Sequence, residues 1–211
     1  MSIKRKESPI IIPFNPLDKR NLGESVADAL MQQPVVNLPP DSFFGAGIYA
    51  IYYTGDFPLY SAVSKRNISN KYEWPIYVGK AVPEGSRKGG YGLGDNPNKA
   101  LYQRLKQHSS SISQVENLNL NHFFCRFLVV DDIWIPLAES LLIEMLSPLW
   151  NKCIDGFGIH TPGKGRVNQQ KSEWDTIHPG RHFANKLPNN KIERDQLVKK
   201  IKDFLSETPS D

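Results

Sequence analysis

Apolar and polar positions fall into blocks along the chain, and the period changes from block to block. Gly47 to Thr54 is rich in Ile and Tyr, is closed by Gly55, and predicts a strand. Its alternation places Ile48, Ala50 and Tyr52 on one side and Tyr49, Ile51 and Tyr53 on the other. Pro75 to Lys80 predicts a second short strand. His122 to Val130, an apolar run interrupted by Arg126, predicts a buried one. Helices are expected over Ser25 to Gln32, from Asn96-Pro97 to about His108, and from about Pro136 to Leu146. Asn96 suits the N-cap and Pro97 the first helical position, while Ser109-Ser110-Ser111 is expected to end that helix. Pro136 to Leu146 is apolar nearly all round and is expected at the centre of the core, stopped by Ser147-Pro148. Ile192 to Leu205 is amphipathic, with Leu197, Val198, Ile201, Phe204 and Leu205 as its stripe.

Between these blocks the chain is polar. Residues 1–20 predict a loosely docked arm, 55–74 an irregular segment, and the chain after Ser206 a frayed tail. Residues 155–190 predict a long connection, which compact domains seldom keep unless it has a function. The order strand, strand, helix, strand, helix, extension, helix predicts an α/β (α+β) fold. A small central mixed or antiparallel three-stranded sheet is flanked by helices, with N- and C-terminal and loop elaborations. One domain over residues 1–211 is expected, with 1–42 as arm and short helix.

Composition narrows the picture only slightly. Lys and Arg number 26 against 22 Asp and Glu, a net +4 that permits nucleic-acid binding without arguing for it. No apolar run is long enough to span a membrane, and Ile10-Ile11-Ile12, stopped by Pro13, is too short for a signal peptide, so a cytoplasmic protein is expected. Cys125 and Cys153 are two small buried hydrophobes rather than a disulfide framework or zinc site. Arg87-Lys88-Gly89-Gly90-Tyr91-Gly92-Leu93-Gly94 lacks the Gly-Lys-Ser/Thr ending of a phosphate loop and predicts a plain loop.

Some side chains invite chemistry. Tyr49 and Tyr77 sit in short strands, where a tyrosine ordinarily just satisfies its hydroxyl. Arg104 and His108 are spaced i, i+4 and share a helix face, ordinarily a solvated edge. Glu139 lies one turn into an apolar helix, where it either complements the helix N-terminus or has a strong partner such as a cation. Asn151, after Pro148, is compatible with a turn.

In combination these residues are more specific. Gly47-Ile48-Tyr49, Tyr77-Val78-Gly79, Arg104 with His108, Glu139, and Pro148-Leu-Trp-Asn151 resemble, in that order, the GIY-YIG nuclease module. Val78 replaces the Ile of the family name, and the gap between the tripeptides is longer than usual, so residues 55–74 look like an insertion. Phe44-Gly-Ala-Gly-Ile-Tyr-Ala-Ile-Tyr-Tyr, Pro75-Ile-Tyr-Val-Gly-Lys-Ala-Val-Pro, Asp155-Gly-Phe-Gly-Ile-His-Thr-Pro-Gly, Trp174-Asp175 and Ile177-His-Pro-Gly-Arg181 are similar to the Eco29kI-like type II restriction endonucleases.

The resemblance implies a catalytic core over 45–151 and a C-terminal extension, 152–211, for DNA recognition and dimerisation. It implies a homodimer, and no other protein partner is implied; no membrane is expected, since no apolar run is long enough to span one. The dimer would cut double-stranded DNA at a palindromic GC-rich site, CCGCGG. It also implies roles. Glu139 holds one Mg²⁺, with Mn²⁺ as a substitute, because one carboxylate with waters and a phosphate oxygen suits that ion. Arg104 neutralises transition-state charge, and Tyr49 is the general base with His108 as relay. Tyr77 positions the water or the phosphate, and Asn151 orders the site. Arg87, Lys88, Lys164 and Arg166, with Gln169 and Gln170, are candidates for reading GC pairs, or for meeting phosphates only. Lys65 and Arg66 are weaker candidates. The competing readings are a repair or mobile-element nuclease using the same module, and a non-catalytic DNA-binding module.

Overall fold

The computed structural model describes residues 15, 17–69, 71–83, 98–159 and 169–207. The first described helix, α1 (Lys19–Met31), starts earlier than the Ser25 expected, at the end of the segment predicted as an arm. The Asp18 carboxylate caps it by accepting from the Arg20 amide at 2.9 Å. Strand β1 (Val36–Asn37) follows, then β2 (Gly47–Tyr53). The segment 55–74, expected to be irregular, folds into a 3₁₀ turn (Pro58–Tyr60) and helix α2 (Ser61–Ser69). The reason it escaped prediction is a polar residue in a core position. Asn67 is fully buried, donates to the Tyr53 carbonyl and accepts from the Trp74 amide, both at 3.0 Å.

Strand β3 (Tyr77–Ala81) leads to α3 (Ala100–Ser113). The expected start at Asn96-Pro97 lies outside the described residues; the Asn98 side chain accepts from the Ala100 amide at 3.1 Å. The helix runs straight through its expected stop. Ser109 and Ser113 turn their hydroxyls back onto the carbonyls of Lys106 and Ser109, at 2.8 and 2.9 Å. Ser109 and Ser111 are buried, small enough to let the helix lie close to its neighbours.

Strand β4 (Phe123–Val129) precedes α4 (Ile135–Leu146), the single turn α5 (Leu149–Lys152), α6 (Glu173–Ile177) and α7 (Arg194–Glu207). The α6 turn and a 3₁₀ turn over Ala184–Lys186 break up what was expected as one long connection. Of the α7 stripe, Leu197 and Ile201 are fully buried, and Val198, Phe204 and Leu205 pack beside them.

The sheet is antiparallel throughout, in the order β1-β4-β2-β3. Among the described residues it has four strands rather than three. The extra one, two residues long against the outer edge of β4, is too short to leave a period in the sequence. Every residue of β2 is buried, so both faces of its alternation matter. Ile48, Ala50 and Tyr52 face α1 and α4, with Ala27, Leu30, Ile135, Ala138 and Leu142. Tyr49, Ile51 and Tyr53 face α3 and the C-terminal elements, with Leu101, Leu105, Trp150, Trp174 and Leu197.

Helix α4 is not central, as its composition had suggested. It buries Ile135, Ala138 and Leu142 and leaves Met145 46% exposed, with Trp134 before it 44% exposed. Arg126, the polar break in β4, is buried by design. It donates to the carbonyls of Gln33 and Tyr72 and lies over the Tyr52 ring, so it ties the end of α1 to the turn before β3.

Candidate active site

Register brings the two strand tyrosines onto one face. Tyr49 pairs with Gly79 across the strands, and Ile51, which shares the Tyr49 face, pairs with Tyr77. Both glycines of the tripeptides have a steric reason. A Cβ at Gly47 would collide with the Leu128 carbonyl oxygen, and one at Gly79 with the Tyr49 hydroxyl. The hydroxyl end of the Tyr49 ring therefore sits over Gly79, beside Tyr77, with ring centroids 6.2 Å apart.

Helix α3 crosses this face and presents Arg104 and His108 from successive turns. His108 is fully buried, and its Nε2 lies 2.6 Å from the Tyr49 hydroxyl. Arg104 donates to the Gly158 carbonyl at 3.0 Å. Phe157 stacks on the His108 ring at 4.5 Å and meets Tyr77 edge-on at 4.9 Å. A Cβ at Gly158 would stand 2.8 Å from the Tyr77 hydroxyl.

Asn151 does not point into this cluster. Its side chain accepts from the Val78 amide and donates to the Val78 carbonyl, both at 2.8 Å. It takes the place of a neighbouring strand on the free edge of β3, between Tyr77 and Gly79.

Glu139 comes from the other layer, on α4, so it is not on the phenol face with Arg104 and His108. Its nearest partner is Lys80, 2.6 Å away, whose side chain follows the Ile48 face. Because β3 is the edge strand, the carboxylate still acts on both phenols and raises both pKa values.

Burial is the largest effect on Tyr49 and pushes it well above the ordinary phenol value; Tyr77 adds to this, while the Arg104 charge opposes it. Burial likewise raises Tyr77, again against Arg104. In the chain by itself both groups are phenols at neutral pH. Tyr49 and His108 Nε2 then share one hydrogen bond, whose direction follows the imidazole tautomer: Tyr49 donates where Nε2 is the unprotonated nitrogen.

Among the described residues, Glu139 is the carboxylate here that could anchor a divalent cation. No three His, Cys, Asp or Glu residues converge among the described residues, so there is no closed cage of the kind zinc takes. One partly exposed carboxylate, already holding a cationic Lys80 against it, fits a hard ion that keeps most of its waters.

Of the recognition candidates, Gln169 and Gln170 line an open groove of about 790 Å³ with Asp155, Gly156, Ile159 and Lys171, beside the loop that holds Arg104. Arg87, Lys88, Lys164 and Arg166 lie outside the described residues. Arg66 on α2 lies over the Trp74 ring at 4.9 Å. Sequence reasoning gave no role to Lys80, Phe157 or Gly158. The signal for Lys80 was available, as a charge in an otherwise apolar strand; Phe157 and Gly158 lie in a stretch that carries the family resemblance, but nothing local points them at the tyrosines.

Two glycine-pinned antiparallel strands, one tyrosine on each, crossed by a helix carrying Arg and His, are the layout of a GIY-YIG nuclease module. The chain belongs to the Eco29kI GIY-YIG domain family, which it matches over residues 41–205, more than half its length. It is therefore a nuclease, a hydrolase that binds DNA. No curated protein matches it. Among the described residues, no helix is long and apolar enough to cross a membrane.

Proposed function

We propose that this chain is a type II restriction endonuclease, hydrolysing double-stranded DNA at a palindromic GC-rich site as a homodimer with Mg²⁺. The observation that carries the hydrolytic part is the 2.6 Å Tyr49–His108 contact, set between Arg104 and Tyr77 and within electrostatic reach of Glu139. The site CCGCGG and the dimer come from the restriction enzymes the chain resembles. Two-fold symmetry in protein and site would match.

Glu139 would hold the Mg²⁺, which supplies charge to the phosphate and the leaving oxygen when bound. The remaining chemistry falls to side chains. A buried phenol is a poor base by itself. Tyr49 therefore accepts a proton from the attacking water as its own proton passes to His108 Nε2. Tyr77, at the mouth of the pair, orients that water or the phosphate. Arg104 places a planar, permanent charge where the phosphorane's charge develops. Lys80 balances Glu139.

The test is incubation of plasmid DNA with the protein and Mg²⁺, against an EDTA control. Discrete fragments that map to one palindrome, only with metal, are the expected result. Scattered nicks would favour a repair-type nuclease, and intact plasmid on every DNA tried would favour a binding module.

A further inference from the structure

Arg181 is 1% exposed and far along the chain from the tyrosines, yet its contacts end at the hydrolytic site. A guanidinium has five N–H donors, and here each has an acceptor. Nε and one Nη2 hydrogen go to the two Asp175 carboxylate oxygens, at 2.6 and 2.8 Å. The other three go to main-chain carbonyls: Gly156 at 2.9 Å, Phe157 at 3.2 Å and Ile159 at 2.6 Å. The Trp174 and Phe183 rings flank the group at 4.5 and 4.7 Å.

Three of the four carbonyls of loop 156–159 are therefore turned toward Arg181. The fourth, Gly158, is the one that accepts from Arg104. The same loop stacks Phe157 on His108 and lays Gly158 against the Tyr77 hydroxyl. A buried ion pair is weak evidence for stability alone, but a fully satisfied one fixes geometry.

We propose that Arg181, locked on Asp175, is a positioning residue for hydrolysis: it sets loop 156–159, and through that loop the placement of Arg104, His108 and Tyr77. This rests on the nuclease reading of the site. Lysine cannot replace it, because one ammonium cannot reach a bidentate carboxylate and three divergent carbonyls.

The experiment compares wild type, Arg181→Met, Arg181→Lys, Arg104→Ala and the Arg104→Ala/Arg181→Met double variant, each first shown folded by circular dichroism. At saturating DNA, Arg181→Met and Arg181→Lys should lose roughly tenfold to a hundredfold in single-turnover cleavage, the scale of a small misplacement. DNA affinity without metal should stay within about threefold of wild type. Because Arg181 acts partly through Arg104, its loss should shrink in the Arg104→Ala background. NMR of the histidine rings gives a readout free of activity: the His108 signal, displaced by the face of Phe157, should move in Arg181→Met. Wild-type cleavage by Arg181→Met with an unmoved His108 signal would overturn the proposal, as would full additivity with Arg104→Ala. If wild type cuts no DNA, the nuclease reading fails, and the His108 signal alone decides whether Arg181 sets the loop. If Arg181→Met does not fold, Gly158→Ala carries the test. It keeps the buried pair and presses a Cβ on the Tyr77 hydroxyl, so slow cleavage with DNA affinity kept is expected, and normal cleavage would refute the loop's role.

Discussion

Single side chains in this site do unlike jobs although they touch. Tyr49→Phe keeps the ring across Gly79 and removes only the hydroxyl 2.6 Å from His108. Cleavage is expected to fall by roughly two to four orders of magnitude, the usual worth of proton transfer by a placed group. A thermal melt should show the fold intact; near-normal turnover would move the base elsewhere. Glu139→Gln removes the carboxylate proposed to hold the divalent ion and leaves Lys80 without its charge partner. DNA binding should survive in a gel-shift assay while Mg²⁺-dependent cleavage disappears, and full activity would contradict the assignment. The candidate site was legible at this scale because the reaction demands residue types: a carboxylate, a guanidinium, a phenol and an imidazole. Lys80 was equally visible, as the charge ending the Tyr77-Val78-Gly79 strand, but pairs with Glu139 only through the packing of α4 over the edge of β3.

At the scale of elements, the fold sets how firmly each group is held. β3 is an edge strand, and edges are the weakest part of a sheet. Asn151, on the α5 turn, closes its outer side at Val78, and the Trp150 amide adds a bond to the Ile76 carbonyl at 2.9 Å. Asn151→Ala leaves the Val78 amide and carbonyl unmet, which should cost about 1–3 kcal/mol in urea unfolding. Cleavage should fall too, since Tyr77 sits next to Val78; unchanged stability would show that water replaces the amide. The strands and the alternation of β2 were readable because apolar residues recur there at the strand period. Helix α2, the extension of α3 through Ser109–Ser111, and β1 were not. Their core positions are filled by Asn67, by serines, or by two residues only, and none of these registers as apolar period.

Across the whole molecule, the C-terminal segments are part of the core that carries the site. Trp150 donates to the Tyr60 hydroxyl at 3.1 Å, Tyr60 meets His178 Nε2 at 2.6 Å, and His178 Nδ1 meets the Asn117 side-chain oxygen at 2.8 Å. Asn117 donates its amide to the Ile177 carbonyl, which fixes its oxygen toward the histidine. With His178 neutral and protonated at Nδ1, Tyr60 donates to Nε2 and Nδ1 donates to Asn117; burial, with Arg194 and Arg181 nearby, holds the histidine well below its ordinary 6.5. The unfolded histidine takes up a proton below about pH 6.5 and the folded one does not, so stability should fall as pH drops through that value. Urea unfolding at about pH 7.5 and about pH 5.5 should show the loss, and His178→Gln should flatten it. A wild-type stability unchanged over that interval would mean that folding does not hold His178 neutral.

Local period and residue type at short spacing suffice for the strand pair, the face of Tyr49, the Arg–His helix and the family of the chain. Long-range packing is needed to put Tyr77 on the Tyr49 face, to bring Glu139 from the opposite layer, to make Asn151 a strand edge, and to close the site with a loop after residue 155. Those depend on which surfaces pack together. Arg181 is the clearest case: five hydrogen bonds to Asp175 and three carbonyls exist only once the chain has folded back on itself.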